Sequence, residues 1–74
     1  MPSRNESYLL PIVSQDFRTA RQFVVELFET QYIIDMLTKF GGHLPSIARV
    51  TGLSLPELNQ LIGKYRIDVG MFRK

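Results

Sequence analysis

The stretch His43–Tyr65, HLPSIARVTGLSLPELNQLIGKY, predicts two short helices joined by a tight turn. Ala48 stands four residues before Gly52, so a small side chain lets the helices approach and a glycine supplies the left-handed backbone of the turn. Apolar Ile47 and Leu58 fall on the faces that such helices turn towards each other. Together these features are typical of a helix-turn-helix, which we place at residues 43–66.

The second of these helices has a defined start. Ser54 and Glu57 stand three residues apart, which predicts a capping box in which each side chain accepts a hydrogen bond from the other residue's amide. Leu61 or Ile62 is expected to join the inward face. Gly63 lies within the helix and weakens it by up to about 1 kcal/mol relative to alanine.

The region before this unit predicts a long helix. Ser14 or Asp16 can cap its first turn, and no glycine or proline follows before Phe40. One continuous helix over residues 15–40 is one interpretation, and a helix pair broken near Glu29–Gln31 is the other. No stretch carries a strand pattern, so the predicted fold class is all-α.

The predicted domain covers residues 15–74, preceded by a linker or apolar strap at residues 1–14. The long helix carries more apolar surface than one helix face can hold, so we expect it to be shared between two copies of the chain. A single over-hydrophobic helix in a monomer is the alternative. The predicted dimer contacts recur at helical spacing: Phe17, Ala20, Val24, Leu27, Phe28 and Ile34.

Composition narrows the function classes. The 74 residues include no cysteine and one histidine, so disulfides and thiolate metal sites are excluded and no metal or cofactor is expected. A net charge of +2 permits a polyanionic partner without requiring one. No apolar run has the length of a membrane span and no secretory leader is recognisable, so we expect a cytoplasmic protein. No nucleophile or base accompanies the scattered carboxylates, so we expect no enzymatic activity.

Three groups of residues in positions 16–74 resemble a known family. They are the long-helix pattern ARQFVVELFETQYIIDML, the Gly42-His43 junction leading into Ile47-Ala48-Arg49 and Gly52-Leu53, and Leu58, Ile62, Lys64-Tyr65-Arg66-Ile67 with a closing Phe72-Arg73. In these features the chain resembles the Fis-type DNA-binding domain, especially the C-terminal domain of NtrC-like activators that work with sigma-54 polymerase.

The resemblance implies a homodimer built by the N-terminal helices, with each second helix in a major groove about one DNA turn apart. Double-stranded DNA is the implied partner, and RNA polymerase with sigma-54 would be reached only through upstream domains. The residues implied to lie at the DNA are His43, Ser46, Arg49, Ser54, Leu55, Glu57, Asn59, Gln60, Lys64 and Arg66.

Several of these residues have a second, structural interpretation. Asn59 and Gln60 suit paired hydrogen bonds to adenine, or they are ordinary solvated helix residues. His43 is either a phosphate ligand or a helix cap. Arg49 suits a phosphate, or an ion pair with a carboxylate on the long helix. Glu57 suits cytosine, or only the capping box.

The sequence also departs from the family at the working helix. The residue after the cap is commonly arginine in the family, whereas here it is Leu55. From Leu55 to Arg66 the charges are Glu57, Lys64 and Arg66, a net of +1. The alternative prediction is therefore a degenerate Fis-like domain that serves dimerisation or protein docking, with weak or no DNA binding. Leu61 is expected to be exposed beside Leu55 and to favour this alternative.

Overall fold

The computed structural model describes residues 10–73, and all regular structure in that range is helical. The predicted all-α class is therefore confirmed. Residues 1–9 of the predicted strap lie outside the described residues, and residues 10–14 have no regular structure. The elements are α1 (Phe17–Lys39), α2 (Leu44–Thr51), α3 (Leu55–Lys64) and a short 3-10 helix (Val69–Phe72).

Helix α1 is continuous, so the helix-pair interpretation is wrong. It starts where Asp16 accepts a hydrogen bond of 2.9 Å from the amide of Thr19. This bond, followed by interaction with the Thr19 side chain, holds the pKa of the Asp16 carboxyl below its ordinary value. It ends at Lys39, and the chain then turns at Gly41 and Gly42, which have φ of +58° and +76°. The amide of Gly42 donates to the carbonyl of Leu37 at 2.9 Å, a bond that satisfies an otherwise free helix end.

Helices α2 and α3 meet at the predicted turn glycine. Gly52 has φ of +81°, and its amide donates to the carbonyl of Ala48 at 3.0 Å. The predicted capping box opens α3: the amide of Ser54 donates to Glu57 Oε1 at 2.9 Å, and the amide of Glu57 donates to Ser54 Oγ at 3.1 Å. Local sequence alone therefore fixes the start of α3 and the turn before it.

The core is formed where the C-terminal half of α1 meets α2 and α3. Ile33 and Leu37 of α1, Ile47 of α2 and Leu58 of α3 are at most 1% exposed. The half-buried side chains packed around these four are Tyr32, Met36, Phe40, Leu44, Ala48, Leu53, Leu61, Ile62, Ile67, Val69 and Phe72.

The expected exposure of Leu61 is wrong. Leu61 is half-buried and packs against the core, whereas Leu55 is 43% exposed. The difference follows from helix geometry, since Leu61 is three residues after buried Leu58 and lies beside it on the same face of α3. Among the leucine and isoleucine residues of α3, Leu55 alone thus leaves more than a third of its surface exposed to solvent.

Candidate nucleic-acid interface

The outer face of α3 carries the polar residues predicted to read DNA. Asn59, Gln60 and Lys64 are exposed, and they follow the buried Leu58 by one, two and six residues. Gly63 lies among them, and a Cβ built there would meet nothing within 4 Å. This face is therefore flat at its centre, and its backbone is open to close approach.

Six of the ten residues predicted to lie at the DNA line two clefts beside α3. The first is lined by His43, Leu55 and Asn59, together with Pro45 and Arg73. Arg73 was not among the predicted contacts. The Arg73 side chain packs close to Gly42, since a Cβ added to that glycine would lie only 2.9 Å from Arg73 Cγ. The two residues are about thirty positions apart, so no local sequence pattern predicts this contact.

The second cleft is lined by Glu57, Gln60 and Lys64 of α3 and by Glu29 of α1. Lys64 Nζ lies 3.8 Å from Glu29 Oε1 and 5.2 Å from the centre of the Tyr65 ring. Interaction with the Tyr65 side chain is the main reason that the pKa of Lys64 is raised, and the charge of Glu29 adds to it. The cation therefore faces a carboxylate as well as solvent.

The start of α3 is occupied by its own cap. Ser54 and Glu57 bond each other, and the hydrogen bonds from Ser54 hold the pKa of the Glu57 carboxyl below its usual value. A contact of either side chain with DNA would compete with this cap. The capping-box interpretation of Glu57 is therefore confirmed, and its contact with DNA stays a prediction.

His43 and Ser46 lie together at the start of α2. His43 Nδ1 is 2.7 Å from Ser46 Oγ, and the His43 side chain makes no hydrogen bond to the helix amides. His43 is the N-cap residue of α2, as the cap interpretation predicts, but its ring is turned to Ser46 and not to the helix amides. Arg49, near the other end of α2, is exposed, and its predicted phosphate contact stays a prediction.

Arg66 lies just past α3 with φ of +54°, the one non-glycine residue with positive φ among residues 10–73. Its amide donates to the carbonyl of Gly63 at 3.2 Å, and the amide of Ile67 donates to that of Ile62 at 3.0 Å. These two bonds form a Schellman motif, which ends the helix. The motif holds the exposed Arg66 near the C-terminal end of α3.

Five of the six predicted dimer residues lie on α1 before Ile33, the first buried core residue of this helix, and Ile34 follows it directly. Phe17 is 74% and Phe28 is 61% exposed, while Ala20 and Val24 are half-buried beside Leu10 and Ile12 of the strap. Leu27 and Ile34 are also exposed. The larger part of this apolar surface therefore has no cover within residues 10–73.

Between residues 10 and 73, no three histidine or acidic side chains converge on a point where a metal ion could bind. In the same range, no helix has both the length and the hydropathy that a membrane span requires.

Comparisons with protein-family models, curated proteins and solved structures found no match to this chain.

Proposed function

We propose that this chain is the DNA-binding domain of a transcriptional regulator, a Fis-type helix-turn-helix domain that acts as a homodimer and recruits a sigma-54-type activator to upstream DNA. The observation that carries the proposal is the joint between α2 and α3. Gly52 takes a left-handed backbone four residues after Ala48, while Ile47 and Leu58 are fully buried on either side of that turn. This is the arrangement that a helix-turn-helix requires.

The exposed face of α3 supports the same function. Asn59 and Gln60 carry amides that suit the N6 and N7 edge of adenine. Gly63, nearer the end of α3, has no side chain, so the wall of a DNA groove can approach the backbone there. Arg49 and Arg66 are exposed and are assigned phosphate contacts. Such contacts set the register of the protein on DNA, and the amides supply the base specificity.

A second function, docking to a protein, is favoured by one specific observation. Leu55 is 43% exposed on α3 at the position where arginine is common in the family. Exposed aliphatic surface suits a protein partner better than a polyanion. Leu61 packs against the core, so Leu55 and not a pair of leucines supplies the exposed aliphatic surface of α3.

A salt titration separates the two functions. The chain is titrated with a labelled DNA duplex at about 50 and about 200 mM salt, and binding is followed by fluorescence anisotropy. For DNA binding, affinity should fall steeply with salt, with a log–log slope near −0.9 for each phosphate neutralised. No binding at the lower salt concentration would overturn the proposal and favour protein docking.

Two matched variants refine the titration. Arg49→Gln should weaken binding and reduce the magnitude of the salt slope by about 1 if Arg49 neutralises a phosphate. Arg18→Gln makes the same charge change in the first turn of α1 and should leave both quantities nearly unchanged. Leu55→Arg should raise affinity, because it adds a cation beside the first cleft. A decrease or no change with Leu55→Arg would show that this part of α3 does not face DNA.

A further inference from the structure

The C-terminal segment holds Arg73 in a defined place beside α2 and α3. Val69 and Phe72 of the 3-10 helix pack against the core, and the Asp68 carboxylate accepts a hydrogen bond of 3.0 Å from the amide of Gly70. The amide of Arg73 donates to the carbonyl of Gly70 at 3.4 Å. Apolar contacts and local hydrogen bonds together therefore fix the backbone that carries Arg73.

Arg73 shares the first cleft with the start of α3. Leu55 and Asn59 are the residues of α3 that line this cleft. Gly42 permits the close approach of the C-terminal segment, because a Cβ added there would lie 2.9 Å from Arg73 Cγ and 3.3 Å from the carbonyl oxygen of Val69. The lack of a side chain at position 42 thus lets Arg73 reach the same cleft as Asn59.

The two clefts beside α3 differ in charge. Within residues 10–73, the first cleft is lined by one arginine, one histidine and no carboxylate, and its walls include leucine and proline side chains. The second cleft is lined by Glu29, Glu57 and Lys64, two carboxylates and one cation, for a net charge of −1. A cleft with one sign of charge and apolar walls concentrates groups of the opposite sign. A phosphate should therefore prefer the first cleft.

Helix α3 supplies no cation of its own to the first cleft. Its lysine, Lys64, lines the second cleft and lies 3.8 Å from Glu29 Oε1. Of the arginine and lysine residues between positions 10 and 73, Arg73 alone lines the first cleft. A guanidinium presents a planar fork of N–H donors that matches two oxygens of one phosphate. The residue type therefore suits the backbone of DNA.

We infer that Arg73 binds a backbone phosphate of DNA in the first cleft and supplies, from the C-terminal segment, the cation that α3 lacks on this side. The inference rests on the proposed function, because it adds a contact to the same DNA interface. Asn59 lines the same cleft, so the strand that Arg73 binds passes beside the base edge assigned to Asn59. Arg73 sets the register of α3 on DNA, and Asn59 reads the base.

The variant Arg73→Gln tests the contact through its dependence on salt. Glutamine keeps the Cγ that lies close to Gly42 and removes the charge. The unmodified chain and the variant are titrated with the same labelled duplex at about 50 and about 200 mM salt. Loss of one phosphate contact changes the log–log slope by about 0.9, so the advantage of the unmodified chain should be about threefold to fourfold larger at the lower salt concentration. A purely structural role of Arg73 would lower affinity by the same factor at both concentrations and would overturn the inference.

Two matched variants make this result specific to Arg73. Arg73→Lys keeps the charge, so its salt slope should match that of the unmodified chain. Arg18→Gln removes the same charge from the first turn of α1 and should leave the slope nearly unchanged. An effect of Arg18→Gln as large as that of Arg73→Gln would assign the change to net charge and overturn the inference.

Neutral phosphates locate the contact on DNA. Single methylphosphonate links are placed in turn along both strands of a duplex selected by its affinity from a random pool. At the phosphate that Arg73 binds, the neutral link should weaken the unmodified chain and leave Arg73→Gln almost unaffected, whereas at other contacted phosphates it should weaken both proteins. A scan in which every neutral link affects the two proteins equally would contradict the contact.

These titrations keep the inference apart from the proposed function. Salt-sensitive binding of the unmodified chain, with a slope that Arg73→Gln does not change, would leave the DNA-binding function standing and remove Arg73 from the interface. No binding of the unmodified chain at the lower salt concentration would overturn both.

Discussion

The hydroxyl of Tyr65 donates a 2.5 Å hydrogen bond to the carboxylate of Glu29, which lies 36 residues earlier in the chain. This bond ties the end of α3 to the middle of α1. The same carboxylate lies 3.8 Å from Lys64 Nζ. One acidic side chain on α1 thus contacts both the tyrosine that closes α3 and a cation of the candidate interface.

The Tyr65 bond should make stability depend on pH in the alkaline range. The hydrogen bond to Glu29, followed by burial, raises the pKa of Tyr65 above its ordinary value of 10.0. A raised pKa favours the neutral phenol in the folded state, so its contribution is complete below pH 10 and is lost as the pH rises through the raised value. Tyr65→Phe should therefore lower the urea midpoint at pH 7, and the difference from wild type should shrink above pH 10. A difference that stays constant across this range would contradict the assignment.

The two glycines Gly52 and Gly63 should respond oppositely to alanine. An added Cβ meets nothing within 4 Å at either position, but Gly52 has φ of +81°. Gly52→Ala should therefore cost about 1–2 kcal/mol from backbone strain alone, whereas Gly63→Ala should add up to about 1 kcal/mol to the free energy of unfolding. Chemical denaturation of both variants provides the measurement. Equal changes of the same sign would show that the turn does not require the left-handed backbone.

Core and surface leucines of α3 form a second matched pair. Leu58 is fully buried against α1 and α2, so Leu58→Ala should lower the free energy of unfolding by about 2–5 kcal/mol. Leu55→Ala removes the same atoms from an exposed position and should change it by no more than about 0.5 kcal/mol. Similar losses in the two variants would mean that α3 is rotated from the position described.

Removing the charge of Glu29 should strengthen binding to DNA. Glu29→Gln keeps an acceptor for the Tyr65 hydroxyl and frees Lys64 from its carboxylate, so affinity at low salt should rise about twofold to fivefold, the range of an exposed ion pair. Asp35→Asn makes the same charge change at the carboxylate that pairs with Lys39 and is the control. Equal gains in both variants would point to net charge alone and not to Lys64.

The amides of α3 should carry sequence preference and not general affinity. Asn59→Ala, or Gln60→Ala, should reduce discrimination between a selected duplex and a single-base mismatch by about 1–3 kcal/mol while leaving binding to random DNA almost unchanged. Competition binding with both duplexes measures this difference. Loss of selected and random binding to the same extent would assign these amides to the backbone of DNA.

The local features of this fold were predictable from the chain itself. The cap at Asp16, the paired glycines after Phe40, the left-handed Gly52 and the capping box of Ser54 and Glu57 each depend on residues no more than four or five positions apart. The partners of such hydrogen bonds are neighbours in the chain, so a local sequence pattern identifies them. The bounds of the helices therefore agree closely with those read from sequence.

What the sequence by itself determined was thus the helices, their ends and the amphipathic spacing; only the tertiary structure decided which apolar faces became core. Periodicity shows that α1 has two apolar faces, but it does not show that α2 and α3 bury Ile33 and Leu37 and leave Leu27 and Phe28 exposed. The Tyr65–Glu29 bond was likewise decided by the tertiary structure, because no local sequence pattern predicts it. The physical reason is that a cap is satisfied within one turn of chain, whereas burial depends on the position of segments that are distant in sequence.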